Sequence, residues 1–155
     1  SLHDALPILS MKKWRIFIMN AEGLLVMAAM TRHSAYAPYS HYKVGAALLT
    51  EKGKIYTGCN IENAAYTPSN CAERTAFFKA VSDGEREFRA IAIVGGKEGA
   101  DEYDFCAPCG VCRQVMMEFC NPDEFEIVLG NSAGDIKVIK LKDMLPMGFG
   151  PENLE

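Results

Sequence analysis

The chain has 155 residues, 49% of them hydrophobic and 23% charged, a globular composition of about one domain's length that excludes disorder and fibre. Its formal net charge of -4 excludes a protein whose main task is to neutralise polynucleotide phosphates. The longest apolar runs, Trp14 to Met19 and Leu24 to Met30, fall short of the roughly 20 residues a membrane span requires.

Residues 1–10 carry no pattern and precede Met11, so they are read as a non-native leader ahead of a single domain over 11–155. Apolar positions Leu24, Leu25, Met27, Ala28 and Met30 predict a helix over 22–34, ended by the Pro38 region. Val44 to Leu49 and Ile55 to Asn60 are β-rich runs around Gly53, which suits a hairpin turn. Asn70 is a good N-cap, Glu73 falls in the first turn, and Ala72, Ala76, Phe77 and Ala80 recur at helical spacing up to Gly84, so a second helix opens at Cys71. Ala90 to Val94, bounded by Gly95-Gly96, reads as a strand buried on both faces. Pro108 suits the start of a third helix carrying Val111, Val115, Met116 and Phe119. Glu126 to Leu129 and Ile136 to Leu141 form a last strand pair. The order predicts an α/β fold: one three-layer α-β-α domain around a five-stranded mixed sheet.

Six cysteines, Cys59, Cys71, Cys106, Cys109, Cys112 and Cys120, stand in a chain without a secretory leader pattern, which points to a reducing compartment and to metal or redox chemistry rather than disulfide staples. Cys71 and Cys109 each open a helix, where backbone N–H groups and the helix dipole favour a thiolate. With Cys112 they make three thiolates, enough to hold Zn²⁺ and leave a fourth tetrahedral position open, the pattern of a catalytic site. Glu73 is placed beside that position as a proton carrier. Two blander readings stand beside this one: buried thiols on a helix start, and a Cys109–Cys112 redox pair. Cys59 and Cys120 are expected to be buried small hydrophobes.

Four ordered segments carry a resemblance: Tyr36-Ala-Pro-Tyr-Ser-His-Tyr-Lys-Val-Gly-Ala-Ala47, Gly58-Cys-Asn-Ile-Glu-Asn-Ala-Ala-Tyr66, Asn70-Cys-Ala-Glu-Arg-Thr-Ala76 and Pro108-Cys-Gly-Val-Cys-Arg-Gln114. From about Tyr36 to Leu154 the sequence resembles the small, three-cysteine, homotetrameric cytidine deaminases. The resemblance implies one Zn²⁺ per chain on Cys71, Cys109 and Cys112, Glu73 as the catalytic acid and base, and Arg74 hydrogen-bonded to the ligand sulfurs to offset their charge. It further implies that Asn60 and Glu62 bind the sugar hydroxyls, that Ala72 orients the amino group with its backbone, and that Tyr42 and Phe149 lie against the nucleoside, Phe149 reaching a neighbouring subunit's site. At Tyr42 the family more often has Phe. The activity expected is hydrolytic deamination of cytidine and deoxycytidine to uridine and deoxyuridine in cytoplasmic pyrimidine salvage, by a homotetramer with no polymer or membrane partner. A blasticidin-S-type aminonucleoside deaminase and a non-catalytic zinc or thiol redox protein are the alternatives.

Overall fold

A computed structural model describes residues 20–155, so the leader assigned to residues 1–10 lies outside the described residues. Helix α1 runs Ala21–Arg32, with the Asn20 side chain capping Gly23 N–H. It is followed by β1 (Tyr42–Thr50), β2 (Ile55–Cys59), α2 (Ala72–Ser82), β3 (Phe88–Lys97), α3 (Gly110–Phe119), β4 (Glu126–Gly130) and β5 (Ile136–Lys140). A one-turn helix α4 (Leu141–Met144) and a 3₁₀ turn (Pro151–Leu154) close the chain. The strands form one sheet in the order β2-β1-β3-β4-β5, parallel only between β3 and β4 and antiparallel elsewhere, so the expected five-stranded mixed sheet is present.

Strand alternation divides the core. Ala47, Leu49, Ala90, Ala92, Val94 and Val128 face one way and pack on Leu24 and Ala28 of α1. Ala46, Leu48, Ile91, Ile93, Ile127 and Leu129 face the other way and pack on Ala72, Ala76 and Phe77 of α2 and Met116 of α3. Each face of the sheet therefore carries helix, and β3 is buried from Ala90 through Gly96.

Two glycines set how closely helices approach. A Cβ at Gly45 would lie 2.0 Å from the Ala28 carbonyl oxygen, and one at Gly58 would lie 2.4 Å from that of Ala72 and 2.5 Å from the Ala76 nitrogen. Gly58 thus lets the first turn of α2 press on the end of β2, next to Asn60. Gly58→Ala must drive the helix off the sheet, and is expected to cost about 3 kcal/mol in denaturant unfolding; a midpoint unchanged from the parent would refute this packing.

Three expectations need correction. The N-cap of α2 is Cys71 and not Asn70: the Asn70 backbone is paired in both directions with Ile61, and its side chain turns to Thr75. Strand β3 does not stop before Gly95-Gly96 but runs through them to Lys97, because a Cβ there would meet Cys106 Sγ at 2.7 Å and Tyr103 Cβ at 2.7 Å, so the glycines make room for the loop that leads to Cys109. Cys120 is buried as expected, whereas Cys59, at the end of β2, is only partly so.

Candidate metal centre and active site

The sheet order brings the site together. Helix α2 follows β2, α3 follows the loop after β3, and β1 runs antiparallel between those two strands. The carboxyl ends of β2 and β3 and the first residue of β1 therefore share one edge, where the starts of both helices meet. Cys71 and Cys109 are the N-caps of α2 and α3, both in extended conformation and neither using its side chain to cap its own helix. A Ser or Asp there would gain about 1 kcal/mol by capping; these positions hold sulfur turned to another use.

Cys71 Sγ lies 3.8 Å from Cys109 Sγ, which lies 3.6 Å from Cys112 Sγ, and all three sulfurs fall within 4.8 Å of one another. Sulfurs bound tetrahedrally at the usual Zn–S length of about 2.3 Å stand about 3.8 Å apart, so the spacing fits zinc. Among the described residues no fourth His, Cys, Asp or Glu joins the group, which leaves one tetrahedral position unclaimed by protein. Hydrogen bonding with Cys112, and then with Arg74, pulls the Cys71 thiol down to about 5, while the same bond and burial push the Cys112 thiol up. The chain has gathered sulfurs whose thiolate charges a cation between them would offset.

Arg74 donates from Nη2 to Cys71 Sγ at 3.4 Å. Through this bond the guanidinium offsets negative charge on the sulfur cluster, while its Nε is buried without a hydrogen-bond partner among the described residues. Glu73, one residue earlier, is 4% exposed. Burial, reinforced by the charge of Cys71, holds its carboxyl up to about 7, the range of a group that both takes and gives a proton near neutrality.

Asn60 and Glu62 leave the end of β2 toward the same edge. The Asn60 side chain accepts from Val44 N–H and donates to the Tyr42 carbonyl, each at 2.8 Å. One oxygen of Glu62 accepts from the Tyr39 and Ser40 N–H groups, each at 3.0 Å, and hydrogen bonding from Ser40 holds its carboxyl below the usual range. An asparagine amide offers four hydrogen bonds and a carboxylate about four acceptor sites, so each side chain fixes the 39–44 segment and keeps capacity for a ligand. Ile61 between them bridges to Tyr36 and to Asn70, which ties the pair to the residue before Cys71.

Ala72 is fully buried at the first turn of α2. Tyr42, half-exposed at the start of β1, has its hydroxyl pushed up to about 12 by burial and by the nearby Cys106, the two side chains both lying over Gly95. Cys106 is in turn held neutral by burial and by the charge of Glu73. The ring at this position therefore has Cys106 as a neighbour, which sequence reasoning missed. Phe149 is 57% exposed and Tyr66 74% exposed, both on the surface of this chain.

Residues 19–127 match the model of the cytidine and deoxycytidylate deaminase zinc-binding region. The chain belongs to this deaminase family. It is 52% identical over 136 residues to a cytidine deaminase of Sporosarcina psychrophila, covering 88% of this chain and 96% of that one. To a cytidine deaminase of Halalkalibacterium halodurans it is 47% identical, covering 88% and 98%. A crystal structure of cytidine deaminase from Burkholderia pseudomallei superposes with a TM-score of 0.77 at 50% identity, over 84% of this chain and all of the other, and one from Mycobacterium tuberculosis with 0.68 at 35%, over 82% and 94%. The deaminase family is thus the one anticipated from the four sequence segments, and the α/β fold the one predicted from the order of elements. Among the described residues no helix is long and apolar enough to cross a membrane.

Proposed function

We propose that this protein is a zinc-dependent cytidine deaminase that takes free cytidine and deoxycytidine to uridine and deoxyuridine with release of ammonia. The observation that carries it is a buried carboxyl, Glu73, two residues from a three-sulfur cluster built on two helix N-termini.

Cys71, Cys109 and Cys112 hold one Zn²⁺ per chain, a Lewis acid that renders water acidic enough to serve as a nucleophile near neutral pH. Glu73 receives the proton that water gives up as its oxygen bonds to C4 of the cytosine ring, and delivers it to N3. It then passes the second water proton to the exocyclic amine, the C4–N4 bond breaks, and ammonia leaves as the C4 carbonyl forms. Cytidine plus water thereby balances uridine plus ammonia. Arg74 holds Cys71 in place and draws charge from the sulfurs. The Ala72 backbone orients the amino group, Asn60 and Glu62 take the sugar hydroxyls with their remaining hydrogen-bonding capacity, Tyr42 lies against the nucleoside, and Phe149 covers the base in a neighbouring subunit of a homotetramer. The setting is cytoplasmic pyrimidine salvage.

Glu62 decides between nucleoside and nucleotide. Its carboxylate, kept ionised by the Ser40 and Tyr39 hydrogen bonds, attracts hydroxyls and repels phosphate. Cytidine, deoxycytidine, cytidine monophosphate and blasticidin S, assayed side by side on zinc-loaded protein, should show turnover of the two nucleosides and at least about a tenfold lower kcat/KM for the other two, a difference of about 1.4 kcal/mol. Folded, zinc-loaded protein that is inert towards both nucleosides would sink the proposal.

A further inference from the structure

The C-terminal segment is bound to the helix that carries two of the sulfurs. Arg113, one residue past Cys112, donates from Nε to the Pro108 carbonyl at 2.8 Å and from Nη1 to the Met144 carbonyl at 2.7 Å. A single guanidinium therefore clamps the turn before Cys109 to the end of α4. Gln114 donates from Nε2 to the Phe149 carbonyl at 2.8 Å. One turn further along α3, Met117 seats the same segment: its Sδ lies 3.1 Å from where a Cβ of Gly148 would stand, and its Cε 3.1 Å from that of Gly150.

These contacts matter because the segment has little else. Among the described residues no backbone–backbone hydrogen bond involves residues 146–149. Met147 sits fully exposed at φ 53°, a left-handed conformation that costs a non-glycine residue about 1 kcal/mol and persists only where its neighbours hold it. The Phe149 ring is itself exposed, so its own packing does not fix the direction in which it projects.

We infer that Arg113 and Gln114 are positioning residues, which make the Phe149 segment a rigid extension of the metal-bearing helix and so set where the aromatic ring stands relative to the base. The inference rests on the proposal that Phe149 covers the base in a neighbouring subunit, and it assigns Gln114 to the aim of that ring and Arg113 to the seating of its segment on α3. The chemistry recognised remains that of a planar, uncharged pyrimidine.

The test uses the full chain, zinc-loaded. Gln114→Met keeps the side-chain stem and removes the donor; it should raise KM for cytidine about fivefold, the scale of one lost hydrogen bond, with kcat changed by less than about twofold and zinc content unchanged. Amide hydrogen exchange at Gly150, whose N–H donates to Asn153 Oδ1 at 2.8 Å, should quicken in the same variant, and Gln114→Lys, which restores a donor, should recover most of both effects. Phe149→Ala should raise KM at least as much, and adding Gln114→Met to it should do no further harm. If Phe149→Ala raises KM while Gln114→Met alters neither KM nor exchange, the inference is overturned and the role of Phe149 stands. If Gln114→Met raises KM while Phe149→Ala does not, or if the two effects simply add, Gln114 does not act through Phe149 and the inference fails with that route.

Discussion

Glu73→Gln is expected to lower kcat for cytidine by about 10²–10⁴-fold, the range contributed by a placed general acid and base, while zinc content stays at the parent's level. Glutamine keeps the volume and the polar edge of the side chain but cannot carry a proton, so the substitution isolates proton transfer from packing. Stability should hold or rise. The carboxyl is 4% exposed and burial lifts it to about 7, so above that pH the native state must keep an ionised group out of water, a cost the amide does not carry. Metal analysis, a thermal melt and a steady-state assay on one preparation separate the two effects. Turnover within tenfold of the parent would remove Glu73 from the reaction, whatever its place beside the sulfurs.

The part of the site legible in the sequence is the part built by local rules. Cys71, Glu73, Cys109 and Cys112 stand out because each lies in the first turn or cap of a helix whose start is marked by Asn70 or Pro108, and because two helices that follow strands of one sheet bring their first turns to one edge. Even there, the assignment of the α2 cap fell one residue short. Asn70 is the better capping residue by chemistry, but its backbone is engaged by Ile61, nine residues upstream, and a pairing between two loops leaves no periodic trace. The same holds for the ends of β3. Gly95-Gly96 looks like punctuation in one dimension, and becomes an accommodating surface only once residues 103–106 are folded across it.

What stayed hidden joins residues far apart in sequence. Tyr42 and Cys106 meet across β3, and neither residue type advertises a partner. Arg113 and Gln114 read as ordinary polar residues of a helix, although one reaches Met144 and the other Phe149, 31 and 35 residues away. Side-chain to backbone bonds of this kind depend on where the chain returns, and that is fixed by α4 and the turn after it, both too short to be seen as periodic patterns.

Cys112 offers the sharpest test of metal against redox chemistry. Cys112→Ser should reduce bound zinc to well below the parent's content and lower Tm by about 10 °C. That figure follows from linkage: a metal present at a thousand times its dissociation constant adds about 4 kcal/mol to the native state, and each kcal/mol moves Tm by about 2–4 °C in a chain of this size. The residue is 1% exposed in the core that joins α3 to the sheet, so serine also leaves a buried hydroxyl where a sulfur packed. Chelated parent protein separates the two contributions, since it loses the metal and keeps the sulfur. It should account for most of the fall, and adding chelator to Cys112→Ser should lower Tm little further. A Cys109–Cys112 redox pair predicts otherwise: metal-free parent protein of full stability, with a disulfide that forms and breaks without regard to Cys71. The spacing speaks for the metal, because Cys71 Sγ stands 3.8 Å from Cys109 Sγ, nearly the 3.6 Å that separates Cys109 from Cys112. A disulfide needs two sulfurs, and a third held within 4.8 Å of both is what a tetrahedral metal site needs.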